Sequence, residues 1–133
     1  MSARIGIVAG AYHVEETDAM IAFATEECSN LGHNVTSVVK VPGAFEIPLA
    51  TKRMLDSGDY DGVITIGIIE KGETLHGKSI GDSVISALTQ MQLETGIPIG
   101  LGIIGPGALP QHIPPRVEKH ARAAANAVSA MLE

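Results

Sequence analysis

The chain has 133 residues, 45% of them apolar and 18% charged, and nine Lys and Arg stand against fifteen Asp and Glu for a formal charge of −6. That length predicts a single domain, residues 1–133, with a real core and no space for a second catalytic domain, and the apolar content excludes a disordered chain. The acidic balance, the lack of a basic run and an aromatic share of 3% argue against a nucleic-acid binder, so an anionic small molecule would need a local cationic site.

The first apolar run, Ala3–Ala9, ends at Gly10 and reads as a buried strand. Thr17 to about Leu31 carries Met20, Ile21, Phe23, Ala24, Cys28 and Leu31 at spacings of three and four. This predicts an amphipathic helix stopped by Gly32. Asn34–Val41 is β-branched and predicts a second strand, broken by Pro42-Gly43. Phe45–Leu55 predicts a helix that tolerates Pro48 in its first turn. Gly62–Ile69 is the most apolar strand and is expected at the centre of the sheet. Gly72–Ser79 reads as a loop, Ile80–Thr95 as a helix, Pro98–Ile104 as the fourth strand and Gly105–Pro114 as a Gly- and Pro-rich loop. The last helix is expected over Pro115–Leu132. Its alanines at 121, 123, 124, 125, 127 and 130 fit either plain helix propensity or close approach to another element.

Strict alternation of strand and helix gives the fold class: α/β, doubly wound, a four-stranded parallel sheet with helices on both faces. A mean hydropathy of +0.24 in so small a domain implies that some apolar surface is buried against other copies. Cys28 stands alone, so it forms no internal disulfide and reads as a small buried residue of the first helix. The start MSARIGIVAG lacks a signal-peptide layout, and no apolar run reaches membrane-spanning length, so the expectation is a soluble cytoplasmic protein.

In open parallel sheets ligands bind beyond the carboxyl ends of the strands. The unusual residues fall there: Tyr12 and His13 after the first strand, Pro42 to Glu46 after the second, Gly72 to His76 after the third, and Gly105-Pro106-Gly107 with Arg116 after the fourth. Gly67–Thr74 (GIIEKGET) nearly matches a nucleotide phosphate loop, but Glu73 replaces the required Lys and would repel a triphosphate, which excludes nucleotide hydrolysis. The backbone amides of Glu73 and Thr74 beside Gly72 can still cradle one phosphate, though from this motif alone an ordinary strand-to-helix loop is the better reading. His76 is either a surface bystander or an imidazole placed to pass protons at the sheet edge. Glu46 is either a first-turn carboxylate matching the helix dipole or a ligand. Arg116, next to a helix N-terminus, is either simply exposed or paired with an anion that helix amides share. His33 falls at the opposite sheet edge and reads as structural. No His, Cys and Asp spacing suits a metal, and there is no Ser-His-Asp signature.

VPGAFEIPLA (41–50), GIIEKGETLH (67–76), QLETGIPIGLGIIGPG (92–107) and Arg116 in PPRVEKHA, in this order, resemble the 6,7-dimethyl-8-ribityllumazine synthase family from Ile5 to near the C-terminus. The resemblance implies a flavodoxin-like fold that joins a ribitylamino-pyrimidinedione to 3,4-dihydroxy-2-butanone 4-phosphate with no metal or redox cofactor. It implies proton transfer at His76, and a phosphate cradle at Gly72, Glu73 and Thr74. It implies a phosphate-pairing Arg116 given by a neighbouring subunit, and a ribityl-holding segment at Ala44, Phe45 and Glu46. Ile69 and Glu70 fall where family backbone groups bracket the pyrimidine, Tyr12 near a ring-stacking aromatic, and Leu101 where a neighbour's side chain packs on the ring. It further implies a homo-oligomer built on pentamers. The chain departs from the family in three places: Gly10-Ala11-Tyr12-His13 follows the first strand, Glu70 replaces an aliphatic residue, and Ala124 stands where a lysine is usual. The competing readings are a riboflavin synthase of the same fold acting on two lumazines, a flavodoxin-like binding module, and a shell-forming protein without activity. The intact GETLH segment argues against the first, and the presence of His76, Glu46 and Arg116 against the last.

Overall fold

The computed structural model describes residues 2–132. Strands β1 (Arg4–Gly10), β2 (Asn34–Val41), β3 (Gly62–Glu70) and β4 (Ile99–Ala108) alternate with helices α1 (Val14–Asn30), α2 (Ile47–Ser57), α3 (His76–Thr95) and α4 (Val117–Ala130). All strand pairs are parallel, in the order β2-β1-β3-β4. This is the α/β, flavodoxin-like arrangement that the alternation predicts. The two most continuous apolar runs, β1 and β3, take the centre and are buried almost throughout, while β2 alternates between partly buried and exposed as an edge strand does.

Successive strand residues point to opposite faces, and each face feeds one helical layer. Ile5, Ile7, Ile64, Ile66 and Ile104 pack with Met20, Ala24 and Cys28 of α1 and Ala121, Ala124 and Val128 of α4. Val8, Val63 and Ile103 pack with Ile47 and Met54 of α2 and Val84 and Leu88 of α3. A fully buried aliphatic side chain contributes about 1.5–3 kcal/mol, so the central strands dominate the stability. The buried hydroxyls are satisfied: Thr65 donates to the Gly100 carbonyl at 2.9 Å and Thr51 to the Ile47 carbonyl at 2.8 Å.

The alanine-rich α4 resolves into two faces. Ala121, Ala124 and Ala125 are buried, whereas Ala123, Ala127 and Ala130 are exposed. On the buried side the helix comes so close to β4 that a Cβ on Gly100 would sit 2.5 Å from the Ala124 carbonyl oxygen. The small residues therefore serve close approach inside the chain. Arg122 ties α4 to α1: it bonds Glu118 at 2.8 Å, Glu27 at 3.0 Å and Glu26 at 2.6 Å, with its guanidinium 5.2 Å from the Phe23 ring centre. Burial pushes the Cys28 thiol up to about 11, which keeps it inert at neutral pH. His33 is structural, as its position suggested: its ring accepts the Ala3 N–H at 3.1 Å and bonds Ser129 at 3.0 Å.

Several boundaries differ from the sequence expectation. Helix α1 starts at Val14, before its first periodic apolar residue. Helix α3 starts at His76 and not at Ile80, so His76 is the first helical residue and not part of the loop. Gly77, which disguises this start, is needed for packing, since a Cβ there would meet the Glu70 carbonyl oxygen at 2.7 Å; further along the helix, one on Gly81 would meet the Pro106 ring at 2.6 Å. Strand β4 runs on through Gly105-Pro106-Gly107 to Ala108, which pairs with Glu70 after a register shift. The last helix follows two short 3₁₀ turns, Pro110–His112 and Pro114–Arg116, and begins at Val117.

Candidate active site

The carboxyl edge of the sheet gathers four loops, and the singled-out residues divide among them into separate clusters. The first joins the ends of β1 and β2. The Ala11 N–H donates to the Val41 carbonyl at 2.7 Å, which holds the post-strand segments side by side. The Tyr12 ring then lies over Gly43, where an added Cβ would come within 2.7 Å of it; only glycine permits this approach. The Gly43 N–H donates to Glu46 Oε1 at 2.9 Å and the Glu46 N–H returns to the Gly43 carbonyl at 3.2 Å. Glu46 is thus fixed by this reciprocal pair of bonds around the 3₁₀ turn Ala44–Glu46, with its other carboxylate oxygen left to accept further bonds. Tyr12, beyond its contact with Gly43, and Phe45 stay 69% and 66% exposed. Phe45 and Glu46 also border a groove of about 490 Å³ with Pro48, Leu49, Ser83 and Val84.

The second cluster lies between β3 and α3. Thr74 Oγ1 accepts the His76 N–H at 3.2 Å, which ties the loop to the first residue of the helix. Gly72 and Thr74 line an open cleft of about 400 Å³ with Lys71, Lys78, Pro106 and Gly107. The lining sets two lysines against one carboxylate, Asp82, near the start of α3, a net positive charge that suits an anion in a chain of negative net charge. Lys78 also pairs with Asp82 at 2.7 Å. Glu73, in the same loop, and His76, at the helix start, are exposed, and Ile69 is buried as the penultimate residue of β3.

Arg116 forms the third cluster, away from both. Its guanidinium donates to the His112 carbonyl at 2.9 Å and faces a hollow of about 160 Å³ shared with Gly105, Pro106, Gly107 and His120. Pro106 and Gly107 border this hollow and the Thr74 cleft alike, so the extension of β4 stands as a wall between Arg116 and Thr74. Burial, together with the charges of Arg116 and Lys119, holds the His120 imidazole below its ordinary range. Leu101 is apart from all three. It is 48% exposed on β4 beside Ile85, Leu88 and Ile99, and it precedes Gly105 by four strand residues, roughly 13 Å.

Sequence reasoning gave His13 no chemistry, yet the structure singles it out. It is the one non-glycine residue with positive φ among the described residues, at φ 60° and ψ 53°. A left-handed conformation costs an L-residue about 1–2 kcal/mol. The strain is held by Thr17, which is buried and donates both its N–H (3.0 Å) and its hydroxyl (3.1 Å) to the His13 carbonyl. The His13 ring lies 3.7 Å from Glu70 at the end of β3. No spacing rule signals this, because the two residues meet only once β1 and β3 pair. Among the described residues no three His, Cys, Asp or Glu side chains come together as a metal site requires, and no helix is long and apolar enough to cross a membrane.

Comparison with known proteins bears on this arrangement. The family model described as 6,7-dimethyl-8-ribityllumazine synthase matches residues 2–133. Proteins named 6,7-dimethyl-8-ribityllumazine synthase from Staphylothermus marinus and Metallosphaera sedula are each 40% identical to the chain, over 98% and 96% of it and 87% and 85% of their own lengths. A relative of that name from Methanopyrus kandleri is 38% identical over 94% of the chain and 89% of its own length. Such identity across nearly every element, the site loops included, is beyond a shared fold alone. The chain belongs to the 6,7-dimethyl-8-ribityllumazine synthase family.

Proposed function

We infer that the protein catalyses the condensation of a ribitylamino-pyrimidinedione with 3,4-dihydroxy-2-butanone 4-phosphate, the transferase step that forms 6,7-dimethyl-8-ribityllumazine in riboflavin biosynthesis. The observation that carries this reading is the family match over the whole chain, and the loops at the carboxyl edge supply groups suited to both substrates. The pyrimidine amine attacks the butanone carbonyl and water leaves to give an imine. Phosphate is then eliminated, the enol rearranges, and the second amine closes the ring with loss of another water. Both substrates are reactive by themselves, so most of the acceleration comes from holding them in register.

The residue roles proposed here are those that the family resemblance implies. Tyr12 presents an exposed ring face for the pyrimidine, with backbone of Ile69 and Glu70 at its edge. Ala44, Phe45 and Glu46 hold the ribityl chain, Glu46 through its free oxygen. Gly72, Glu73 and Thr74 hold the phosphate at the start of α3, and His76 moves protons beside it, an effect of about 10²-fold. Arg116 pairs with phosphate of a neighbouring copy's site, and Leu101 packs on a neighbour's substrate ring. Two features support this split. The β4 wall separates Arg116 from Thr74 within one chain, and Tyr12, Phe45, Leu49, Leu75 and Leu101 leave apolar surface uncovered. A cyclic homo-oligomer, a pentamer or an assembly of pentamers, covers that surface and completes each site. The chain acts as one domain, needs no cofactor, and works in the cytoplasm, where its substrates are made.

The test is an absorbance and fluorescence assay of purified protein with both substrates, corrected for the spontaneous reaction. Lumazine appearing faster than the background is the expected result. A folded protein that gives no acceleration contradicts the reading, and lumazine supplied alone then tests dismutation to riboflavin.

A further inference from the structure

We propose that the His13 and Glu70 side chains form a couple that recognises the alternating N–H and C=O edge of the pyrimidinedione, a specificity role that rests on the activity proposed above. The sheet order places β1 and β3 side by side while the chain leaves β1 towards β2 on one flank and returns to β3 on the other. A crevice opens where connections part in this way, and His13 and Glu70 stand on its two banks. Their nearest atoms are 3.7 Å apart, beyond hydrogen-bond length, so the carboxylate keeps acceptor capacity and the imidazole keeps an N–H to donate. A cyclic imide edge sets one N–H donor beside carbonyl acceptors, the complement of that couple.

Both groups are held in place without being covered. The His13 carbonyl takes two bonds from buried Thr17, which fixes a left-handed backbone that would otherwise relax. Glu70 ends β3 where the next residue, Lys71, donates its N–H to the Ala108 carbonyl at 2.8 Å, and Gly77 packs against the Glu70 carbonyl. The side chains remain 28% and 42% exposed, open to a ligand. Tyr12, the residue before His13, offers a ring face in the same place, so stacking and edge recognition come from adjacent residues.

The experiment compares kcat/KM for the parent ribitylamino-pyrimidinedione and its ring-N-methylated analogue, which lacks the imide donor. Wild type is expected to prefer the parent by roughly tenfold or more, since a site built for a hydrogen bond rejects a ligand without it. Glu70→Ala is expected to cut the preference to about threefold or less by raising KM for the parent, with KM for the butanone phosphate unchanged. His13→Gly removes the ring where glycine suits the backbone and is expected to act in the same direction. A Glu70→Ala protein that keeps the wild-type preference and KM overturns the proposal while leaving the activity standing. A folded wild type that forms no lumazine overturns the activity, and this assignment with it.

Discussion

Strands β1 and β3 and the loops that leave them are continuous in sequence and opposite in physical character. Within the strands, Ile5, Ile7, Ile64 and Ile66 are fully buried and every one contacts a helical layer. Within two residues beyond the strands stand exposed Tyr12 and Lys71, held by a few backbone bonds. The strands bury enough apolar surface to be self-sufficient. The loops do not: Tyr12 and Phe45 stay largely exposed, and Arg116 lies on the other side of the β4 extension from Thr74. Stability is thus concentrated in one layer and binding capacity in the next, and a substitution should disturb one without the other.

The largest effect is expected in the core. Ile66→Ala leaves a cavity between β3 and the α1–α4 layer and should cost about 2–5 kcal/mol, read as a lowered urea midpoint with an unchanged slope. At the edge, Arg116→Ala should leave that midpoint within about 0.5 kcal/mol of wild type and raise the apparent KM for the butanone phosphate roughly tenfold or more. An unchanged KM would remove Arg116 from the phosphate site. His76→Ala should be milder, retaining measurable acceleration over background with kcat lowered by about 10²-fold at most.

The smallest expected effect concerns the α1–α4 clamp, where the bond from Asn126 and then that from Arg122 lower the Glu27 pKa. A carboxylate lowered in the folded state stabilises the protein above its unfolded pKa, and that contribution is lost as pH falls through the folded value. Denaturant midpoints should therefore drop slightly on acidification below about pH 4, the ordinary glutamate range, and Arg122→Ala should flatten that drop.

The self-sufficient layer was legible in the sequence because its signals are local: apolar runs for the strands, spacings of three and four for the helices, and the most apolar run for the sheet centre. The site was legible as a location, since parallel topology sends every post-strand loop to one edge. What escaped was set by contacts between distant residues. Gly77 read as loop because it lacks a side chain, yet it is helical where α3 presses on Glu70. Gly105-Pro106-Gly107 read as a break, yet β4 continues through it beside β3. His13 adopts a strained backbone because Thr17 reaches back to it, and it meets Glu70 only through strand pairing. No periodicity carries that information.

The central claim is that one chain holds part of an active site and a second copy completes it. It is tested by co-expressing Glu46→Ala and Arg116→Ala chains and measuring lumazine formation by the mixed assembly against each variant alone. If each site takes Glu46 from one chain and Arg116 from another, random mixing restores both residues to roughly a quarter of the sites, and activity rises well above either variant. Mixed protein no more active than the mean of the two variants would place both residues in the site of a single chain and contradict the account.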